Sequence, residues 1–270
     1  MDFQGAGVAL SDSGLAQVQA NLEVGAAEIW TVLTVETGSC GFFADRRPSI
    51  LYEQHIFHRQ TNGHFDAVAG DISNPNPGNY GPSGSHQYDR LLRAVALDRK
   101  AALSSASWGI GQVMGFNFQI AGYADVDSMI NAMMESEDKQ LLAMASMIEH
   151  NKIDAPLRAH DWTSFARVYN GPNFAINQYD KRLAAAYQKS SLGLLPDLNV
   201  RSVQLYLTYL GFAPGTIDGV PGRLTMSALS QFQQQKGLPL SDQITADTLA
   251  CVKAAALPGD PDVPPPRPNI

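Results

Sequence analysis

At 270 residues, with 44% hydrophobic and 17% charged side chains, the chain has room for one large and one small globular unit, and its composition excludes wholesale disorder. Its net charge of −7 is uneven: residues 196–257 carry four basic against four acidic groups and residues 258–270 sum to −1, which leaves −6 in residues 1–195. No run of Lys and Arg offers a footprint for nucleic acid or an anionic membrane, so neither partner is expected.

Cys40 and Cys251 fall in different candidate units and read as two unpaired thiols of a protein made in a reducing cytoplasm. Cys40 has no His near it in sequence, which makes it a poor candidate for a catalytic nucleophile. No Lys or Arg precedes Arg46, so the basic start of a signal peptide is missing. The apolar stretch 24–35 is too short to span a bilayer and contains Glu28. The expectation is a monomer made in the cytoplasm without a signal peptide and without membrane insertion.

In chain order, Ser11 and Ser13 offer caps to a first helix with Leu15, Val18 and Leu22 on one face. A second helix is expected from Val24 to about Thr37, stopped by Gly38 and Gly41. Residues 63–85, rich in Gly, Asn, Pro and Ser, read as a long loop of the kind that carries function. Helical spacing returns at Tyr88, Leu91, Leu92 and Val95, and again over 126–150, where five methionines suggest a plastic core. Two further helices are expected near Trp162–Tyr169 and 175–187, then three short ones at 200–210, Arg223–Lys236 and 245–256. The domains so read are 1–189, a linker 190–196, a small unit 197–257, and a Pro-rich disordered tail 258–270.

Acid catalysis of bond cleavage needs a carboxyl that keeps its proton near neutral pH, which apolar surroundings achieve by disfavouring the charge. Glu36 ends the apolar run 29–35 and has no cation near it in sequence. Glu53, within the segment Ile50, Leu51, Tyr52, Glu53, His55, Ile56, is the second candidate. Residues 106–117 set Trp108 as a stacking face and Gln112 and Asn117 as amide groups among glycines that let a ligand approach the backbone; the alternative is a glycine-rich helix start packed on the core. Tyr169 and Asn170 precede a Gly171-Pro172 corner that exposes side chains.

Four strings, Val35-Glu36-Thr37-Gly38-Ser39-Cys40-Gly41-Phe42, Arg47 to Phe57, Ala106 to Gly115 and Tyr169-Asn170-Gly171-Pro172, occur in the order found in the phage and bacterial N-acetylmuramidase family, which residues from about Gly14 to Lys189 resemble. The family motif often has Ser where Thr37 stands. The resemblance implies a mainly helical, lysozyme-like fold related to goose-type lysozymes. It further implies Glu36 as general acid, Glu53 as second carboxylate, and Gln112, Tyr169 and Asn170 in a sugar cleft. Residues 196–257 resemble the small three-helix peptidoglycan-binding domain, with Asp218, Arg223 and Thr225 at the loop before its second helix, there to touch the wall or to hold the loop.

The function so implied is hydrolysis of the β-1,4 bond between N-acetylmuramic acid and N-acetylglucosamine in bacterial peptidoglycan, with no metal or cofactor. Inversion is expected for carboxyls about 6.5–9.5 Å apart and a covalent route for about 5–5.5 Å. Two tethered modules further imply that removing 190–270 spares cleavage of soluble oligosaccharides and slows only wall lysis. The rivals are a lytic transglycosylase on the same scaffold, a metallopeptidase using Glu53, His55 and His58, and a non-catalytic wall-binding protein. The wall would be reached after release by a holin or injection as an effector.

Overall fold

The computed structural model describes residues 2–36, 40–193, 195–257 and 259, with Glu36 described in its backbone only. The tail expected to be disordered therefore lies almost wholly outside the described residues. The chain opens with helix α1 (Asp12–Leu22), capped by Ser11, whose hydroxyl accepts the Gly14 N–H, and buries Leu15, Val18 and Leu22. Helix α2 (Ala26–Glu36) buries Ile29, Trp30, Val32 and Leu33 on several faces, so it runs through the core and not along its surface.

Strand β1 (Ile50–Tyr52) leads directly into helix α3 (Gln54–Gln60), and turns fill the stretch to helix α4 (Gln87–Leu97) and helix α5 (Arg99–Ser104). Strands β2 (Ala106–Trp108) and β3 (Val113–Met114) complete an antiparallel sheet ordered β1-β2-β3, with Ile50 opposite Trp108 and Tyr52 opposite Ala106. Residues 106–114 are thus a hairpin, neither a free ligand loop nor a helix start. Strands of two or three residues are too short for the alternation that betrays a strand in sequence.

The apolar stretch 126–150 is two helices, α6 (Val126–Glu135) and α7 (Glu137–His150), broken at Ser136. Ser136 is extended because Val8 pairs with it from the N-terminal segment and accepts the Glu137 N–H. Helices α8 (Asp154–Arg158), α9 (Trp162–Tyr169) and α10 (Tyr179–Ser190) follow, α10 starting later than its apolar spacing suggested because turns continue from Gly171 to Gln178. The small unit is a helical trio, α11 (Leu198–Tyr209), α12 (Arg223–Lys236) and α13 (Ala246–Ala256), capped by Asp197, by left-handed Gly237 and by Thr245. Among the described residues no helix is long and apolar enough to cross a membrane.

The two cores interlock. Ala9 and Phe42, from the first part of the chain, belong to the core that α11, α12 and α13 build with Val203, Leu207, Leu229, Phe232 and Val252. The Ala9 N–H donates to the Tyr206 hydroxyl (3.1 Å), and the Tyr209 hydroxyl donates to the Gly7 carbonyl (3.0 Å). Beneath them a fully buried Arg201 of α11 forks onto a fully buried Glu137 of α7. The picture of two units joined only by a tether is corrected by this contact.

Candidate active site

Helix α2 delivers Glu36 as its last residue; the Glu36 side chain, and with it the separation from Glu53, falls outside the described residues. What holds the end of α2 is described. Arg182 of α10 donates to the Val35 carbonyl at 2.9 Å, a cation at the helix C-terminus. At the other end, Glu28 lies 2.7 Å from His160 Nε2, whose ring packs 4.0 Å from Tyr187 of α10. Burial opposes the charge on Glu28, but hydrogen bonds from His160 and Tyr187 hold its carboxyl below the usual range.

Glu53 stands at the junction of β1 and α3, in extended backbone, with its N–H given to the Ser105 carbonyl at 2.9 Å. Its side chain is only 15% exposed. Burial pushes its carboxyl above the ordinary glutamate value, against the pull of His55, of the Tyr80 hydroxyl and of Arg90. His55 Nδ1 is 3.1 Å away but off the line of a hydrogen bond. Tyr80 comes from the long loop between α3 and α4, which is tied down where Gln87 donates to the Tyr80 and Pro82 carbonyls (2.8 and 2.7 Å) and Gln54 to that of Asn76 (3.0 Å). Burial and the neighbouring Glu53 raise the Tyr80 hydroxyl in turn, and Tyr179 at the start of α10 adds to the effect. Helix α10 therefore serves both carboxyl positions, Arg182 bracing the end of α2 and Tyr179 facing the Tyr80–Glu53 pair. Sequence reading did not single out Tyr80, Arg90, Tyr179 or Arg182. The loop's Gly/Pro richness was the one signal, and it pointed to the segment without picking the residue.

The turn between β2 and β3 gathers part of the expected sugar cleft. Gln112 adopts the left-handed region (φ 47°), an outlier for a residue with a Cβ. Its Oε1 accepts from Ser107 (2.7 Å) and its Nε2 donates to the Gly109 carbonyl (2.8 Å), so its amide is spent on shaping the turn. Tyr169 stacks on Phe165 and donates to the Gly111 carbonyl at 2.9 Å, with half-buried Asn170 next to it at the end of α9. Asn117 is half-buried in the short 3-10 turn Gly115–Asn117, beyond β3; its neighbour Phe116 lies under the Arg59 guanidinium of α3.

Trp108 is a correction. It is fully buried, donates from Nε1 to the Leu103 carbonyl (3.1 Å) and packs against Phe3 and Tyr88, so it is a core residue and offers no stacking face to a sugar. In the small unit, Thr225 is 2% exposed and Asp218 is half-buried; both contact the buried Gln204 amide, whose Oε1 also accepts the Asp218 and Gly219 N–H groups. These two residues hold the loop before α12, leaving Arg223 of the three exposed. A depression of about 200 Å³ opens elsewhere on this unit, between α12 and α13, lined by Leu229, Phe232, Leu238, Pro239, Thr248 and Cys251.

The rival chemistries find little geometry. His58 Nδ1 is turned to Asp66 (2.7 Å), away from any set shared with Glu53 and His55, and among the described residues no three His, Cys, Asp or Glu side chains converge as metal ligands do. Burial pushes the Cys40 thiol up to about 12, which keeps it protonated and unreactive.

A mainly helical body with one small antiparallel sheet, and beside it a desolvated carboxyl whose proton affinity burial raises, is the arrangement of a lysozyme-type glycoside hydrolase. Residues 25–191 match the model of the N-acetylmuramidase family, and the chain belongs to that family. Residues 196–251 match the putative peptidoglycan binding domain, which fits peptidoglycan as the substrate. Among solved structures, that of the Burkholderia AP3 phage endolysin is 36% identical, with a TM-score of 0.63 over 68% of this chain and 71% of that one. Among curated proteins, none matches.

Proposed function

We propose that this chain is an endolysin-type muramidase that hydrolyses the β-1,4 bond between N-acetylmuramic acid and N-acetylglucosamine, acting as a monomer once released to the wall. Glu36 donates its proton to the glycosidic oxygen as the bond breaks. Glu53 then acts as base on a water at the opposite sugar face, or stabilises the oxocarbenium-like state. The observation that carries this reading is the environment of Glu53: a carboxylate at a strand–helix junction, desolvated yet faced by Tyr80, His55 and Arg90, has a raised basicity that suits it to take a proton from water. The family match on 25–191 and the likeness to a phage endolysin support the substrate and the setting.

Mass analysis of muropeptides from purified walls tests the reaction. Reducing N-acetylmuramic acid ends are expected. Anhydro ends would mean transglycosylation on this scaffold, and absence of glycan fragments would mean binding without cleavage.

A further inference from the structure

Only Thr37, Gly38 and Ser39 separate Glu36 from Cys40, and the chain is clamped again at Gly41. The Gly41 N–H donates to Glu137 Oε1 at 2.8 Å, and its carbonyl accepts from Ser49 N–H (2.8 Å) and Gln140 Nε2 (3.3 Å). Gln140 is fully buried and accepts the Ile110 N–H (2.7 Å), which ties the same node to the turn between β2 and β3. The fit leaves no room for a side chain: a Cβ on Gly41 would stand 1.9 Å from Gln140 Oε1.

Glu137 is completed from the other unit. Its two oxygens take both terminal nitrogens of Arg201 (2.5 and 2.7 Å), while Oε2 also accepts the Leu10 N–H (2.8 Å). The Arg201 guanidinium in turn lies 5.8 Å over Trp30 of α2, the helix that ends at Glu36. Cys40 and Tyr209 are the other titratable groups facing this pair, and burial raises both, so both stay neutral and neither competes with Glu137 for Arg201. A fully buried carboxylate needs such a partner to stay ionised and to hold its backbone donors.

From this geometry we infer that Arg201, a residue of the peptidoglycan-binding unit, is a positioning residue for catalysis: through Glu137 it fixes the Gly41 peptide, five residues after Glu36 in the chain, and through Trp30 it packs on the helix that ends at Glu36. The small unit is then a structural part of the active site as well as a wall anchor, and removing residues 190–270 impairs cleavage of soluble oligosaccharides too. This rests on Glu36 being the acid.

The test uses the full-length chain and a soluble glycan-strand fragment too short to engage the wall-binding unit. In Arg201→Met, kcat is expected to fall about 10- to 100-fold with KM little changed, and the alkaline limb of the pH profile to shift, with Arg201→Lys in between. A merely structural defect would lower the active fraction and leave the profile in place. Should Arg201→Met not fold, Glu137→Met/Arg201→Met removes both charges and leaves the Gly41 N–H without its acceptor, so the kcat loss should persist. Wild-type kcat and pH profile in either folded variant overturn the inference. Glu36→Gln is measured alongside: if it stays active, the reading of Glu36 fails, whatever Arg201 does.

Discussion

Replacing Glu36 by Gln is expected to lower kcat on glycan strands about 100- to 10,000-fold, the span of a lost general acid, with the melting temperature and binding to purified walls unchanged. The amide keeps the size and polarity of the carboxyl but has no proton to give to the leaving oxygen. Helix α2 does not depend on the charge: it is held by buried Ile29, Trp30, Val32 and Leu33 and by Arg182 on the Val35 carbonyl. Kinetics on a soluble fragment, a thermal melt and a wall-pelleting assay measure the three quantities. A mutant with near wild-type kcat would remove Glu36 from the chemistry.

Glu53→Gln is expected to reduce activity by a similar factor while making the protein more stable at neutral pH. The sign follows from the shift. Burial raises the folded carboxyl above its unfolded value, so folding favours the protonated form. That contribution is fully present below the unfolded value of about 4.3 and is lost as pH rises through the folded one; at pH 7 the ionised group opposes folding. Gln removes the opposing charge. The melting temperature of Glu53→Gln should lie above wild type at pH 7, and the gap should close below pH 4. The wild-type activity profile should show its acid limb above the ordinary glutamate range, because Glu53 works only when ionised. A mutant less stable than wild type at pH 7, or one with full activity, would contradict the assignment.

What was legible in the sequence were the elements fixed by local chemistry. Helices α9 and α12 fall where the spacing placed them, and Ser11, a cap by residue type, caps α1. The break at Ser136 was not legible, since its cause is Val8, far away in sequence. Trp108 was misread because residue type does not separate a buried aromatic from a stacking platform; only its Leu103 hydrogen bond and zero exposure do. Within the site, apolar flanks marked Glu53 correctly as desolvated, whereas Tyr80 and Arg182 reach it and α2 from a loop and a distant helix. Glu137, Gln140 and Arg201 escaped for the opposite reason: charged and amide residues on helices read as solvent-facing, and these three are buried because they satisfy one another and the Gly41 peptide.

The central claim is that one carboxyl, at position 36, holds its proton until the sugar bridge arrives. Its titration can be followed by carbon NMR on carboxyl-labelled protein, the resonance assigned by its loss in Glu36→Gln. A midpoint well above the ordinary glutamate value of about 4.3, matching the alkaline limb of kcat, is the expected result. A group already fully ionised in the mildly acidic range where digestion runs at full speed would contradict it.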